Sequence, residues 1–173
     1  MLETVLYSEV DIEEKLPHKK PFIFISGVTY LNVEKGKIRG FYNVDPRQFE
    51  GHIGKSLVFP KVLKEEAIAQ LGAFLLRIQP KFANYIPIFS GSYKGKDHEM
   101  AIPGDRLDLE LSMIEFDGRK SGRALGKAYI KNRLVHEYSF EFKIVKEETL
   151  YKLISKLENS RKGGEEVGFV NKS

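Results

Sequence analysis

The sequence has no cysteine and no tryptophan among its 173 residues. Without cysteine, neither a disulfide framework nor a thiolate metal site can form, which is compatible with a reducing cytoplasm. The four histidines are scattered, and none stands at the i, i+4 spacing of a helical zinc site. A glycine-rich nucleotide-binding loop is also missing. The sequence therefore predicts a protein that uses no metal and no cofactor.

Long apolar runs are missing as well. The most apolar stretch, residues 71–76, is too short to cross a bilayer, and the first residues lack the pattern of a signal peptide. The net charge is only +4, which allows an acidic partner but does not indicate nucleic-acid binding. The hydrophobic share of 42% is that of a globular protein. We expect one domain in the cytoplasm, with neither a membrane nor a nucleic acid as partner.

A long helix that begins after Pro60 is the most informative segment. Proline suits the first helical turn, where its missing N–H is not needed. Each helical residue advances by about 100°, so Lys64 and Glu65 lie within about 60° of Lys61. These three side chains are predicted to form a solvated first turn. Glu66 lies about 140° from Lys61 and is predicted to point inward.

Beyond Gln70 the helix is apolar on all sides over residues 71–76, which predicts that other elements surround it. Short helices are expected from Ser8 to Leu16 and over 147–161. The β-rich segments are residues 22–25, 28–31, 37–42, 86–94, 105–116, 122–131 and 134–145. This order predicts an α+β fold, in which a curved antiparallel sheet wraps around one buried helix. Residues 1–145 would form the domain, and 146–173 a helical or disordered C-terminal tail.

Four motifs in register give the chain a family resemblance. They are Leu16-Pro17-His18 with Pro21-Phe22, Phe49-Glu50-Gly51-His52, Pro60-x-Val62-Leu63 with Glu66-Ala67-x-Ala69-Gln70, and Pro103-Gly104-Asp105-x-Leu107. Over about residues 10–145 the chain resembles the hot-dog-fold 3-hydroxyacyl-[acyl carrier protein] dehydratases of bacterial fatty acid synthesis (FabZ-type). The resemblance implies a divergent member of that family.

The resemblance also implies a mechanism. His52 would take the α-proton of a 3-hydroxyacyl thioester, and Glu66 would protonate the departing hydroxyl to leave a trans-2-enoyl product. In the family the two residues of one site come from two subunits of a homodimer. The dimers join their sheets edge to edge and often assemble as a trimer of dimers. The partner would be acyl carrier protein.

Residue chemistry agrees with these roles. Histidine as a residue type titrates near neutrality and suits proton abstraction beside a carbonyl. An apolar surrounding favours the protonated form that an acid needs. Backbone N–H groups of Val62 and Leu63 could stabilise the oxyanion of the thioester. With Lys61 and Gln70, which is expected to fix either the neighbouring loop or the helix partner across the dimer, they form the predicted substrate-binding set.

The chain departs from the family pattern around the predicted site. Gly51-His52-Ile53-Gly54 replaces Gly-His-Phe-Pro, and Pro60-Lys61 replaces Pro-Gly at the start of the helix. Ser26-Gly27 stands for Asp-Arg, and Lys96 to Met100 replaces a Lys-Phe-Arg-x-Pro strand end. These changes favour an altered acyl or carrier preference, or a loss of activity.

Other interpretations remain open at this point. Glu66 could be a structural carboxylate paired with Arg77 or with a histidine of the partner. His18 is expected to fix the N-terminal turn, and His98 and His136 are expected to be exposed. The whole protein could instead be a non-catalytic acyl-thioester-binding or heteromeric subunit, or a hot-dog thioesterase.

A group of basic residues is either an ordinary solvated surface or a docking patch for acyl carrier protein. Its members are Lys55, Lys61, Lys64, Arg77, Lys81, Lys94 and Lys96.

Overall fold

The computed structural model describes residues 4–52 and 57–162, except for the side chains of Ser92 and Lys162. Three features noted in the sequence lie outside these ranges. They are the substitutions at Ile53 and Gly54, the basic residue Lys55 and the disorder expected at the C-terminal end. The elements, in chain order, are β1 (Tyr7–Ser8), α1 (Glu9–Lys15), β2 (Gly27–Asn32), β3 (Lys37–Asn43), α2 (Lys61–Arg77), β4 (Tyr85–Asp97), β5 (Arg106–Phe116), β6 (Ser121–Ile130), β7 (Arg133–Lys146) and α3 (Glu147–Lys162).

The seven strands form one antiparallel sheet in the order β1-β2-β3-β5-β6-β7-β4. Helix α2 contacts β3, β4, β5, β6 and β7, so the sheet curves around it. The predicted α+β architecture, a curved antiparallel sheet around one long helix, is confirmed. The apolar second half of α2 is buried, as the sequence predicts.

The helix lies very close to the middle of the sheet. A Cβ built on Gly126 of β6 would overlap the Ile68 side chain, so only glycine leaves room for α2 there. One turn further along the same face of α2, the Leu111 side chain lies against Gly72. Such close contact removes the apolar surface of α2 beyond its first turn from water, which is the main source of stability for a fold of this kind.

Short elements at the N-terminus close one end of the sheet. Ser8 caps α1 by accepting from the Asp11 N–H, and the Asp11 carboxylate accepts from the Ser8 N–H at 2.7 Å. The helix ends before Leu16, which is buried. The start and end predicted for this helix are therefore confirmed.

The prediction of a strand at residues 22–25 is wrong. Residues 23–25 are buried, but their backbone pairs with no strand. The Gln70 side chain instead accepts from the Phe24 N–H at 2.9 Å and donates to the Phe22 carbonyl at 3.1 Å. A side chain of α2 thus takes the place of a neighbouring strand, and this anchors the segment beside the helix.

Candidate functional site

Glu66 lies at one end of an apolar cavity of about 280 Å³. Its side chain retains 20% of its exposure, so the predicted inward direction is confirmed. The cavity is bounded by α2, by the first half of β4 and by β5, β6 and β7. Its apolar lining consists of Ala69, Ala73, Leu76, Ile86, Pro87, Ile88, Phe89, Met113, Ala124, Phe140 and Phe142. A carboxyl group beside such a cavity can act on a bound ligand with an apolar chain.

Gln70 holds this carboxyl group in place. It lies one helical turn after Glu66 and is buried. Its Nε2 donates to Glu66 Oε1 at 2.8 Å, while the same amide bonds the backbone of the 22–24 segment. The amide therefore fixes the orientation of the carboxyl group and anchors the neighbouring segment, as expected for Gln70.

His18 faces the same carboxyl group, which the sequence did not predict. Its Nε2 lies 3.5 Å from Glu66 Oε1, and its ring lines the cavity. Burial lowers the pKa of His18, and the nearby Glu66 opposes that shift in part. The sequence signal was the position of Leu16-Pro17-His18 at a chain reversal beside an apolar segment. That signal indicates a structural residue as readily as a functional one.

His52 lies elsewhere in the same protomer. It is exposed, and its N–H donates to the Phe49 carbonyl at 3.1 Å in the turn that follows a 3-10 helix at Pro46–Gln48. It is not among the described residues that line the cavity around Glu66. Within the described part of one protomer, the structure does not bring His52 and Glu66 together.

The two predicted oxyanion donors at the first turn of α2 differ in whether their N–H is already bonded. The Leu63 N–H donates to the Pro60 carbonyl at 3.0 Å. In the described part of the chain the Val62 N–H has no such partner, and the Val62 side chain is 63% exposed. Of the two predicted oxyanion donors, Val62 is therefore the one left available.

The predicted solvated first turn is wrong for two of its three residues. Lys64 is only 1% exposed, and Glu65 is also buried. Lys64 Nζ donates to Asp97 Oδ1 and to the Glu99 carbonyl, each at 2.7 Å. The charges are tolerated inside the protein because each has a partner. The partners of Lys64 lie at the end of β4 and just beyond it, where helical periodicity cannot reveal them, and Glu65 accepts from Lys61 one turn earlier on α2.

His136 completes this charged cluster, and its predicted exposure is also wrong. Its side chain is fully buried, with Nδ1 3.0 Å from Asp97 Oδ1 and Nε2 3.5 Å from Glu65 Oε1. Burial lowers the pKa of His136, although Asp97 acts in the opposite direction. His98, by contrast, is exposed as expected and lies 3.1 Å from Glu137.

Lys61 belongs to the rim of the same cluster. Its Nζ donates to Glu65 Oε1 at 2.6 Å. A Cβ built on Gly95 of β4 would overlap the Glu65 carboxylate and come within 3.0 Å of Lys61 Nζ. Lys61, which replaces the family's glycine, is therefore bonded to its own helix, and its ammonium group lies close to Gly95 of the sheet.

The basic group found in the sequence is not one continuous surface. Lys64 is internal, and Arg77 is bonded to the carbonyls of Lys15 and Tyr85. Arg77 also lies 3.5 Å from Glu147, so it is not the partner of Glu66.

No group of three or more His, Cys, Asp or Glu residues within 4–52 and 57–162 could hold a metal ion. Among the described helices, none has both the length and the hydropathy required to span a membrane.

Comparison with known proteins gives this site a family context. The model of the FabA-like domain matches residues 16–139, a span that contains His18, His52 and Glu66. The chain belongs to the FabA-like family. This FabA-like protein is 35% identical over 137 residues to 3-hydroxyacyl-[acyl-carrier-protein] dehydratase FabZ of Clostridium botulinum (strain Eklund 17B / Type B). That alignment covers 78% of this chain and 96% of the relative.

A second relative and two solved structures support this placement. The FabZ dehydratase of Symbiobacterium thermophilum is 36% identical over 135 residues, covering 76% of this FabA-like protein and 93% of the relative. The dehydratase heterocomplex ApeI:P from Xenorhabdus doucetiae aligns with a TM-score of 0.65 at 18% identity, covering 83% and 96% of the two chains. A thioesterase superfamily member from Thermus thermophilus aligns with a TM-score of 0.59 at 16% identity, and the alignment covers 84% of this chain and 99% of that one. The two structural likenesses establish the hot-dog fold alone.

Proposed function

We propose that this protein dehydrates (3R)-3-hydroxyacyl-[acyl carrier protein] to trans-2-enoyl-[acyl carrier protein] in fatty acid biosynthesis. The observation that carries the proposal is the carboxyl group of Glu66, which Gln70 holds at the end of an apolar cavity. The cavity would take the acyl chain, and the carboxyl group would face the carbon that bears the hydroxyl. The two FabZ relatives, which carry this activity in their names, support the same reaction.

The base would be His52 of a second subunit. Strand β4 lies at the end of the sheet and, among the described residues, pairs with β7 alone, so these leave its other edge unpaired. Unpaired edges of sheets readily pair with another chain. Exposed Phe89 and Tyr93 on this strand give such a contact an apolar component. A homodimer joined there, which can assemble further as a trimer of dimers, would supply the partner's His52 loop to the cavity.

The proposed reaction is an α,β-elimination. His52 takes the proton from C2, the electron pair of that C–H bond forms the C2=C3 double bond, and the C3–O bond breaks. The protonated Glu66 carboxyl gives its proton to the departing oxygen, which leaves as water. Negative charge that develops on the thioester oxygen would be stabilised by the Val62 N–H at the positive end of α2. Lys61 does not hinder this approach because Glu65 holds its ammonium group.

Acyl carrier protein as the substrate carrier and the cytoplasm as the location form part of the same proposal. The exposed cations Lys94 and Lys96 follow the cavity-lining part of β4 and suit an acidic carrier. A pantetheine arm that enters beside them would reach the first turn of α2. No cofactor is needed, because a base, an acid and a backbone donor complete the elimination.

Interconversion of 3-hydroxyacyl and trans-2-enoyl carrier-protein thioesters by the purified protein alone, followed by mass spectrometry, tests the proposal. Glu66→Gln and His52→Ala should each lower the rate by about 10²–10⁴-fold, the usual contribution of a general acid or base. Exposed Glu158→Gln and His98→Ala serve as matched controls and should retain the wild-type rate.

The same assay separates the rival functions. Release of a free thiol without interconversion would indicate a thioesterase. Tight binding of the acyl carrier by a folded protein that does not turn it over would indicate a binding or heteromeric subunit. The binding or heteromeric function is worth testing because His52 is exposed and lies away from the cavity of its own protomer.

A further inference from the structure

His18 makes an unusual contact for a residue outside the proposed acid–base pair. Its Nε2 approaches Glu66 Oε1 to 3.5 Å from the side of the cavity. Gln70 Nε2 donates to that same oxygen at 2.8 Å. Across residues 4–52 and 57–162, no group bonds to the other oxygen, Oε2. The two carboxyl oxygens therefore have different surroundings.

The second ring nitrogen of His18 indicates which tautomer is present. Nδ1 is buried and has no hydrogen-bond partner in the described part of the chain. A buried N–H without an acceptor is costlier than a bare acceptor nitrogen. The proton of a neutral imidazole is therefore favoured on Nε2, where it points at Glu66. An imidazolium would add an unsatisfied N–H at Nδ1, so the same burial keeps His18 neutral.

We propose that His18 is a positioning residue for the acid: its Nε2–H and the Gln70 amide both serve Glu66 Oε1 and confine the acidic proton to Oε2. This inference rests on the proposed function. In the protonated carboxyl group, Oε1 is then the carbonyl-like oxygen that accepts from two N–H donors. The remaining oxygen carries the proton that the departing hydroxyl receives.

The arrangement also acts after proton transfer. When Oε2 gives up its proton and the C3–O bond breaks, negative charge spreads over both carboxylate oxygens. The N–H groups of His18 and Gln70 then bond to a charged acceptor, which strengthens hydrogen bonds. The 3.5 Å approach is long for a hydrogen bond in the free enzyme, and such contacts commonly shorten when substrate binds.

The charges around His18 agree with a neutral donor. Burial lowers the pKa of His18, the Glu66 carboxylate raises it, and Arg77 lowers it again. Both charged residues lie on α2, Glu66 in contact with the ring and Arg77 three turns further along. Loss of the Glu66 charge should therefore lower the pKa of His18 further.

Nitrogen NMR of the full chain, with labelled histidine and no substrate, tests this directly. The Nε2–H tautomer is expected for His18 at pH 8, and its Nε2 signal should shift in Glu66→Gln, because the group that faces this N–H changes. His98, which faces Glu137 instead, is the internal control and should keep its signal. An Nδ1–H tautomer, or a His18 Nε2 signal that is unaffected by Glu66→Gln, would overturn the proposal whether or not the protein is a dehydratase.

Kinetics provide the second test. His18→Leu should lower kcat by about tenfold to a hundredfold with little change in KM, less than loss of the acid itself. His18→Gln, which restores an N–H donor but cannot titrate, should recover most of kcat, and His98→Leu should be neutral. Equal losses in His18→Leu and His18→Gln would contradict a donor role. If no variant or wild type turns over substrate while the NMR results hold, the function fails and the hydrogen-bond assignment stands.

Discussion

Two histidines, the buried His136 and the half-buried His18, make the stability of the protein sensitive to mild acid. In His18 and His136 burial lowers the pKa below the ordinary value of 6.5. In the unfolded chain both groups take up a proton as the pH falls through that value, whereas the folded protein resists until lower pH. The unfolded state therefore binds more protons below about pH 6.5, and stability is lost as pH falls.

We predict that the free energy of unfolding decreases from pH 7 to pH 5.5, by at most about 1.4 kcal/mol per pH unit for each histidine. Denaturant unfolding at several pH values measures it. His136→Gln should be less stable at pH 7, because it loses the Asp97 contact, but its stability should fall less steeply with pH. His98→Gln is the control. An unchanged slope in His136→Gln would show that His136 does not titrate with unfolding.

At the scale of elements, the charged cluster of Lys64, Glu65, Asp97 and His136 connects α2, β4 and β7. Lys64 of the helix and His136 of β7 both meet Asp97 at the end of β4. Buried charges with partners are costly to separate, because the remaining charge is left without compensation. The charged cluster therefore holds the first turn of α2, with the Val62 N–H, against the edge strand β4.

A double-mutant cycle measures the interaction between Asp97 and Lys64. Asp97→Ala should destabilise the protein by about 3 kcal/mol, because it leaves the Lys64 ammonium group buried without its carboxylate. Lys64→Met in the same chain should recover a large part of that loss, since it removes the uncompensated charge. Chemical denaturation of the four proteins gives the coupling energy. Additive effects of the two changes would mean that Asp97 and Lys64 do not interact.

The elements were largely predictable because their signals are local. Alternation at Leu107, Leu109 and Leu111 indicates β5, and the apolar half of α2 indicates a surrounded helix. The failures depend on contacts distant in sequence. Lys64 meets a carboxylate 33 positions away, and Gln70 bonds a segment 46 positions away. Charge and β-propensity alone therefore predicted a solvated turn and a strand where the structure has neither.

The candidate site was predictable in its residue types and only partly in its geometry. Glu66 and Gln70 share one helix, so their common direction follows from helical spacing. His18 reaches Glu66 through the chain reversal after α1, which no periodicity encodes. The predicted approach of His52 to Glu66 would involve two chains, and it stays a prediction.

For the whole molecule, the proposed division of the site between subunits has a quantitative consequence. His52→Ala and Glu66→Gln are each inactive as homodimers if every site needs one residue from each chain. A mixed dimer regains one intact site, formed by the His52 of one chain and the Glu66 of the other. After subunit exchange at equal concentrations, about a quarter of the wild-type activity should return.

The mixing experiment needs only the dehydration assay and a gel-filtration check that subunits exchange. Mixing either variant with itself is the baseline. Activity that stays at the baseline although exchange is complete would place both residues of a site in one chain, or remove one of them from the reaction.

The overlap at Gly95 restricts how this sequence can have changed over time. A side chain at position 95 would displace the Glu65 carboxylate from its present place, and Glu65 needs Lys61 to balance its buried charge. A lineage that acquires Glu65 before the glycine or before the lysine passes through a less stable protein. Return to the family's glycine at position 61 would leave Glu65 without its ammonium partner, so these three positions are expected to vary together among descendants of this chain.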